Sequence, residues 1–269
     1  MPTPFYHLSL AEELINHPNT PEPVSQFLRV FRSEFLFGNT APDVQVVSGQ
    51  PREATHFFNL PILAGNPPAW KACLTKYPQL ATTGNLPAAH AAFLAGYLCH
   101  LQADWVWVKD IFIPAFGSRA TWGTFRQRLY YHNVLRAYLD QKILPGLPID
   151  TGTCLRQVKL DGWLPFVKDH SLAVWRDLLA RQLQPGAAIE TVEVFSSRQG
   201  ISAPEYYALL ASEERMQGEV FEHLSLEQVQ SYKVRVLMDN IELLSETVAL
   251  SLHPINLPTE IVEFKGVHL

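Results

Sequence analysis

Apolar residues recur along most of this 269-residue chain at intervals of three and four, the period of an α-helix with one buried side. In the segment 23–37, Val24, Phe27, Leu28 and Phe31 fall at i, i+3, i+4 and i+7. The pattern predicts helices over 8–17, 23–37, 68–77, 87–113, 122–143, 160–183, 204–223 and 226–252. Prolines and glycines mark their ends. Pro18 stops the first helix, and Pro145–Gly146 and Pro185–Gly186 close two others. Pro87 falls in the first turn of the long central helix, where its missing N–H costs no hydrogen bond. Residues 38–51 are rich in turn formers and are expected to be a loop or a pair of turns. The stretch 191–195 has β-branched character but is too isolated to imply a sheet. From residue 254 onward, apolar and polar positions alternate, as in an extended surface segment. No internal repeat and no linker rich in Gly or Ser divides the chain. The expectation is one all-α domain over 1–253, a single multi-helix bundle, with a tail over 254–269.

With 47% apolar and 17% charged residues, the chain can bury a sizeable core. The net charge of −5 offers no basic face overall, so nucleic-acid binding by phosphate neutralisation is not expected. Attraction to anionic lipid is disfavoured for the same reason. The first ten residues lack a positive cluster followed by an apolar run. No stretch reaches the roughly 18 apolar residues of a membrane span. The most apolar one, 88–116, is interrupted by His90, His100, Asp104, Lys109 and Asp110. Cys73, Cys99 and Cys154 lie far apart without a CxxC pair, which suggests free thiols in a reducing compartment. The location expected is cytoplasmic, with no transmembrane segment.

The sharpest chemical signal lies in AFLAGYLCHLQADWVW. His100 and Asp104 leave the same helix face one turn apart, so an imidazole and a carboxylate can converge on one ion at about 2.0–2.2 Å. Gly96, a turn earlier, leaves room for another element to come close. The plainer reading is a hydrogen-bonded pair inside a core, since a buried charge must be satisfied. Two other stretches set polar residues at the edge of apolar sequence: FLFGNTAPDV presents Asp43, and REATHFF presents His56. Asp43 also suits a turn or cap, and His56 a helix cap.

Taken in order, these motifs resemble those of the zinc-dependent phospholipase C family, which includes the N-terminal catalytic domain of glycosylphosphatidylinositol-specific phospholipase D. An early His (His7), a G-x-x-x-P-D turn (Gly38 to Asp43), a T-H pair (Thr55–His56) and a G-x-x-x-H-x-x-x-D helix (Gly96, His100, Asp104) follow one another across about half the chain. The resemblance implies an all-helical fold holding up to three zinc ions and hydrolysing a small-molecule or lipid phosphate ester. It implies that Asp43, His56, His100 and Asp104 hold one zinc, that Asp104 bridges to an ion also bound by His7, and that Asp43 acts as general base or orients the water. For a further zinc the family uses a His soon after the HxxxD helix and a later H-x-x-x-E pair. Here the positions after Asp104 carry Trp105, Trp107, Val108 and Asp110, and the later candidate is His132, with Arg136 four residues on. Asp110 is the candidate oxygen donor beside His132, and Asp140, at i+8, lies too far along a helix to substitute directly. An Arg136–Asp140 pair is expected as a solvated ion pair.

Arg52, Lys109, Arg126 and Arg136 suit solvated surface charges better than phosphate contacts, Trp105, Trp107 and Trp122 suit the core, and Glu213, Glu214 and Glu219 a solvated face. The function expected is a zinc-dependent phosphodiesterase. The alternative is a non-catalytic helical protein that binds a partner and keeps a structural or vestigial metal site. Iron also suits His and carboxylate, but di-iron bundles use two Glu-x-x-His pairs and the sequence has one, Glu53 with His56, so a di-iron protein ranks last.

Overall fold

The computed structural model describes residues 1–81 and 85–248, in which the regular secondary structure is helical, with no strand among them. In chain order the helices are α1 (Pro4–Asn16), α2 (Glu22–Val30), α3 (Arg32–Gly38), α4 (Gln45–Ser48), α5 (Glu53–His56), α6 (Ala69–Lys76), α7 (Ala88–Trp107), α8 (Phe125–Ile143), α9 (Thr151–Gln157), α10 (Asp169–Gln182), α11 (Thr191–Gln199), α12 (Ala203–Leu210), α13 (Glu213–Arg215) and α14 (Leu226–Val248). Among these residues no helix is long and apolar enough to cross a membrane, and all three cysteines are free.

The bundle is built around α7. Of its 20 residues, 16 are buried, so it is apolar on every side and has neighbours all round. It packs on α1, α3, α6 and α14. The tightest approach is with α3, and two glycines cause it. A Cβ on Gly38 would stand 2.0 Å from the carbonyl oxygen of Phe93, and one on Gly96 would stand 2.2 Å from that of Phe35. Both obstacles are backbone, so no other residue fits without separating the helices. Across α7, Asn240 and Tyr232 of α14 donate to the carbonyls of Cys99 and Ala103 at 3.3 and 3.2 Å. The buried ends of these donors are thereby satisfied where helix meets helix.

Several predicted elements are divided. The 23–37 segment is two helices with a break at Phe31 (φ −107°, ψ 37°), which turns the second one, α3, onto α7. The regular part of 87–113 ends at Trp107 and continues as a wider π-helical stretch, Val108–Phe116. There Pro114 has no N–H to give, and Gly117 N bonds instead to Phe112 O at 2.6 Å. Only 169–182 of the 160–183 segment is helical. Gly162 has φ +63° and Pro165 follows, so the chain before Asp169 loops, with the Asp169 carboxylate accepting from Gly162 N at 2.8 Å. Residues 191–195 form the first turns of α11, not an extended segment, because Val192 and Phe195, three apart, are both buried. The 204–223 segment is broken at Ser212, whose hydroxyl caps α13. Within 38–51 the turns are helical, a 3₁₀ turn at Ala41–Val44 followed by α4. The helix α9 was not expected. The tail 254–269, like 249–253, lies outside the described residues.

Candidate metal centre

Five of the predicted residues meet. His7 comes from the second turn of α1, which starts at Pro4 after Thr3 caps Tyr6 N with its hydroxyl at 3.2 Å. Asp43 comes from the 3₁₀ turn after α3, His56 from the end of α5, and His100 and Asp104 from α7. Two groups of three, His7/His100/Asp104 and Asp43/His56/His100, have donor atoms within 4.8 Å of one another and share His100. All are buried except Asp43, whose side chain is 17% exposed.

The Gly38–Gly96 crossing sets the geometry. It brings Asn39, the residue after α3, against α7, where its carbonyl oxygen lies 2.7 Å from His100 Nδ1. A carbonyl only accepts, so Nδ1 of His100 carries the hydrogen and Nε2 is a bare lone pair. His56 is arranged in the same way. Its Nδ1 lies 3.0 Å from Thr55 Oγ1 and 3.2 Å from the Arg52 carbonyl, which assigns the hydrogen there and leaves Nε2 bare. The two Nε2 atoms are 3.4 Å apart, and Asp104 Oδ2 stands 3.3 Å from one and 3.7 Å from the other. Asp43 Oδ1 is 3.5 Å from His56 Nε2. These contacts are acceptor against acceptor, so they are not hydrogen bonds. Oriented imidazoles with Nδ1 on a carbonyl and Nε2 free are what a metal site requires of its surroundings.

His7 completes the set. Its ring stacks on that of His100 with centroids 3.7 Å apart, and Nε2 lies 3.4 Å from Asp104 Oδ1. Neither its ring nitrogens nor Asp104 Oδ1 has a hydrogen-bond partner, although all three atoms are buried. Buried polar atoms are otherwise paired as a rule, so this group fits a bound cation. Charge agrees. Burial lowers all three imidazoles, His7 to about 4, so each is neutral at pH 7. Burial alone would raise the two carboxyls. Both nevertheless lie below the usual range, Asp104 with the Arg52 guanidinium beside it. Neutral nitrogens and ionised oxygens suit a divalent ion such as zinc.

Arg52, expected on the surface, lies beside the centre. Its guanidinium is 2.6 Å from Asp104 Oδ2 and 4.6 Å from the centre of the Phe58 ring. Its four-residue separation from His56 was the available signal, because α5 returns Arg52 to the face of His56. Asn39 gave no signal, since it acts through its backbone oxygen.

The structure does not place His132 with the five. It is buried on α8, and its Nε2 accepts from Trp107 Nε1 at 2.9 Å, with Phe112 and Phe116 against the ring. Asp110, its expected companion, pairs instead with Arg235 at 2.6 Å. Arg136 and Asp140 do not form the expected solvated ion pair: Arg136 is partly buried and donates to Asn133 Oδ1 at 3.1 Å, while buried Asp140 accepts from Thr3 and Thr191 hydroxyls. Burial lifts the Asp140 carboxyl to about 6 and lowers the Arg136 guanidinium to about 10. Trp105 and Trp107 are core residues, as expected.

A cavity of 210 Å³ opens beside the centre, lined by Asp43 and Arg52 from its edge and by residues of α1, α8, α10 and α11. No family model matches the chain, and no curated protein or solved structure matches it.

Proposed function

We propose that this chain is a zinc-dependent hydrolase of a phosphate ester, resembling phospholipase C in its chemistry. The observation that carries the reading is the convergence of bare Nε2 lone pairs from His56 and His100 on the oxygens of Asp104 and Asp43. His7, His56, His100, Asp43 and Asp104 would hold the metal. A bound zinc supplies a water of lowered pKa and a positive clamp on phosphoryl oxygens. Asp43 is the one acid of the group that also lines the cavity. With one oxygen toward His56, its carboxylate can accept a hydrogen bond from a water on the cavity side. Because its carboxyl is held below the usual range, that role is orientation more than proton abstraction. The substrate fits as a small soluble ester or the headgroup of a lipid.

One observation favours the alternative, a partner-binding protein with a vestigial site. The Arg52 guanidinium already gives Asp104 a positive neighbour at 2.6 Å. The experiment that separates the two is turnover of a generic phosphodiester by zinc-loaded protein beside Asp43→Asn and His100→Ala. The hydrolase reading expects turnover in the wild type, strongly reduced in Asp43→Asn and absent with the metal in His100→Ala. Tight zinc binding with no turnover on a broad ester panel would favour the alternative.

A further inference from the structure

The α8 position that the family motif fills with Glu is here Arg136, and its surroundings suit neither a surface charge nor an ion pair. Its polar contacts are Asn133 Oδ1 at 3.1 Å and the Pro2 carbonyl at 3.5 Å, and its Nε is buried with no partner. The guanidinium lies over the Phe195 ring, 4.4 Å from its centre. Such stacking holds the plane flat and leaves its donor edge for a planar or tetrahedral anion. Arg136 lines the cavity together with Arg52 and Arg198, so three guanidinium groups face two carboxylates, Asp43 and Glu190. Phe5, Val46, Trp175, Leu178 and Phe195 supply apolar wall around the charges. The volume, 210 Å³, is far above the roughly 10–15 Å³ that one water needs.

We propose that this cavity is a binding site for a small phosphate-bearing anion, anchored by Arg136 with Arg52 as the second donor. Arg52 touches both the cavity and Asp104, so the anion lies next to the metal centre and its apolar remainder meets the Trp175–Phe195 wall. The site rests on the arginines and stands apart from the reading of the cluster as a zinc hydrolase.

Inorganic phosphate titrated calorimetrically into the full chain tests this, first in excess EDTA and then with zinc. Saturable binding in EDTA is expected, weakened about tenfold or more in Arg136→Gln, the effect of losing a charged hydrogen bond. Arg136→Lys keeps the charge without the fork and should bind at an intermediate level. It also serves if the Gln variant fails to fold. Equal binding by wild type and both variants, or no saturable binding in EDTA, overturns the proposal. Binding that needs zinc and ignores Arg136 would place the anion on the metal, supporting the hydrolase while sinking the arginine site. Binding in EDTA by a protein that takes up no zinc would do the reverse.

Discussion

Two buried polar faces, one on α7 and one on α8, use nearly the same residue types with opposite results. On α7, His100 and Asp104 stand one turn apart; on α8, His132, Arg136 and Asp140 follow at the same spacing. The α7 imidazole has its Nδ1 fixed by the Asn39 carbonyl and its Nε2 left bare, while the α8 imidazole spends Nε2 on the Trp107 N–H. The Asp104 oxygens meet the bare Nε2 atoms of His56 and His100, with His7 beside Oδ1 and the Arg52 guanidinium donating to Oδ2, whereas both Asp140 oxygens receive hydroxyl donors. Asp104 is held ionised with the Arg52 guanidinium beside it, and Asp140 is held toward its neutral form by burial. What opposes a helix face decides whether its lone pairs are available to an ion or already consumed.

The largest contrast lies in metal affinity. His100→Ala removes the nitrogen shared by both donor groups. Zinc affinity should fall by more than about 100-fold, since outer-shell changes alone cost about 10–100-fold. Competition with a chromogenic chelator measures it.

Next comes the backbone contact that orients His100. In Gly96→Ala the new Cβ collides with the Phe35 carbonyl, and the way out is to push α3 and Asn39 away. Destabilisation at or above about 3 kcal/mol is expected, the upper range for over-packing, because backbone cannot move aside like a side chain. Denaturant titration reads the stability, and the same sample should bind zinc more weakly. Full stability would mean that the helices are not locked by this crossing.

The two faces also respond oppositely to pH in zinc-free buffer. His7 titrates near 4 when folded against an ordinary 6.5, so the unfolded chain takes the proton first. Its contribution to stability is lost as pH falls from about 6.5 toward 4, by up to about 3 kcal/mol. Asp140 titrates near 6 against 3.8, so the folded chain keeps a proton that the unfolded one has lost. Stability from this group is present below about pH 4 and lost as pH rises toward 6, by up to about 3 kcal/mol. Asp140→Asn, which stays neutral, should therefore gain on the wild type between pH 4 and 6 in denaturant titrations. A pH-independent difference between the two proteins would remove Asp140 from the comparison.

The smallest effect belongs to His132→Phe. It strands the Trp107 N–H, at about 1–3 kcal/mol, and should leave zinc affinity unchanged.

The parts legible in the sequence are those set by periodicity and by short local motifs. The longer helices follow from apolar spacing, and spacing also sets His100 beside Asp104, while His7, Asp43 and His56 joined them only through the order of motifs that resembles a known family. Local backbone breaks were not legible: Phe31, Ser212 and the loop before Asp169 depend on packing and capping that a periodic pattern does not encode. Arg136 and Asp140 looked like an ordinary exposed pair because nothing along α8 reveals that Thr3 and Thr191 close over them. For the same reason His132 and His100 are alike in sequence. Trp107, which separates their roles, is seven residues from one and 25 from the other.

The most direct test is the zinc content per chain, by plasma mass spectrometry, of wild type, the His100→Ala/Asp104→Ala double variant and His132→Phe, each equilibrated with zinc and desalted. At least one zinc per chain is expected in the wild type and in His132→Phe, and none in the double variant. A wild type that retains no zinc, or a double variant that retains as much, would contradict the metal centre.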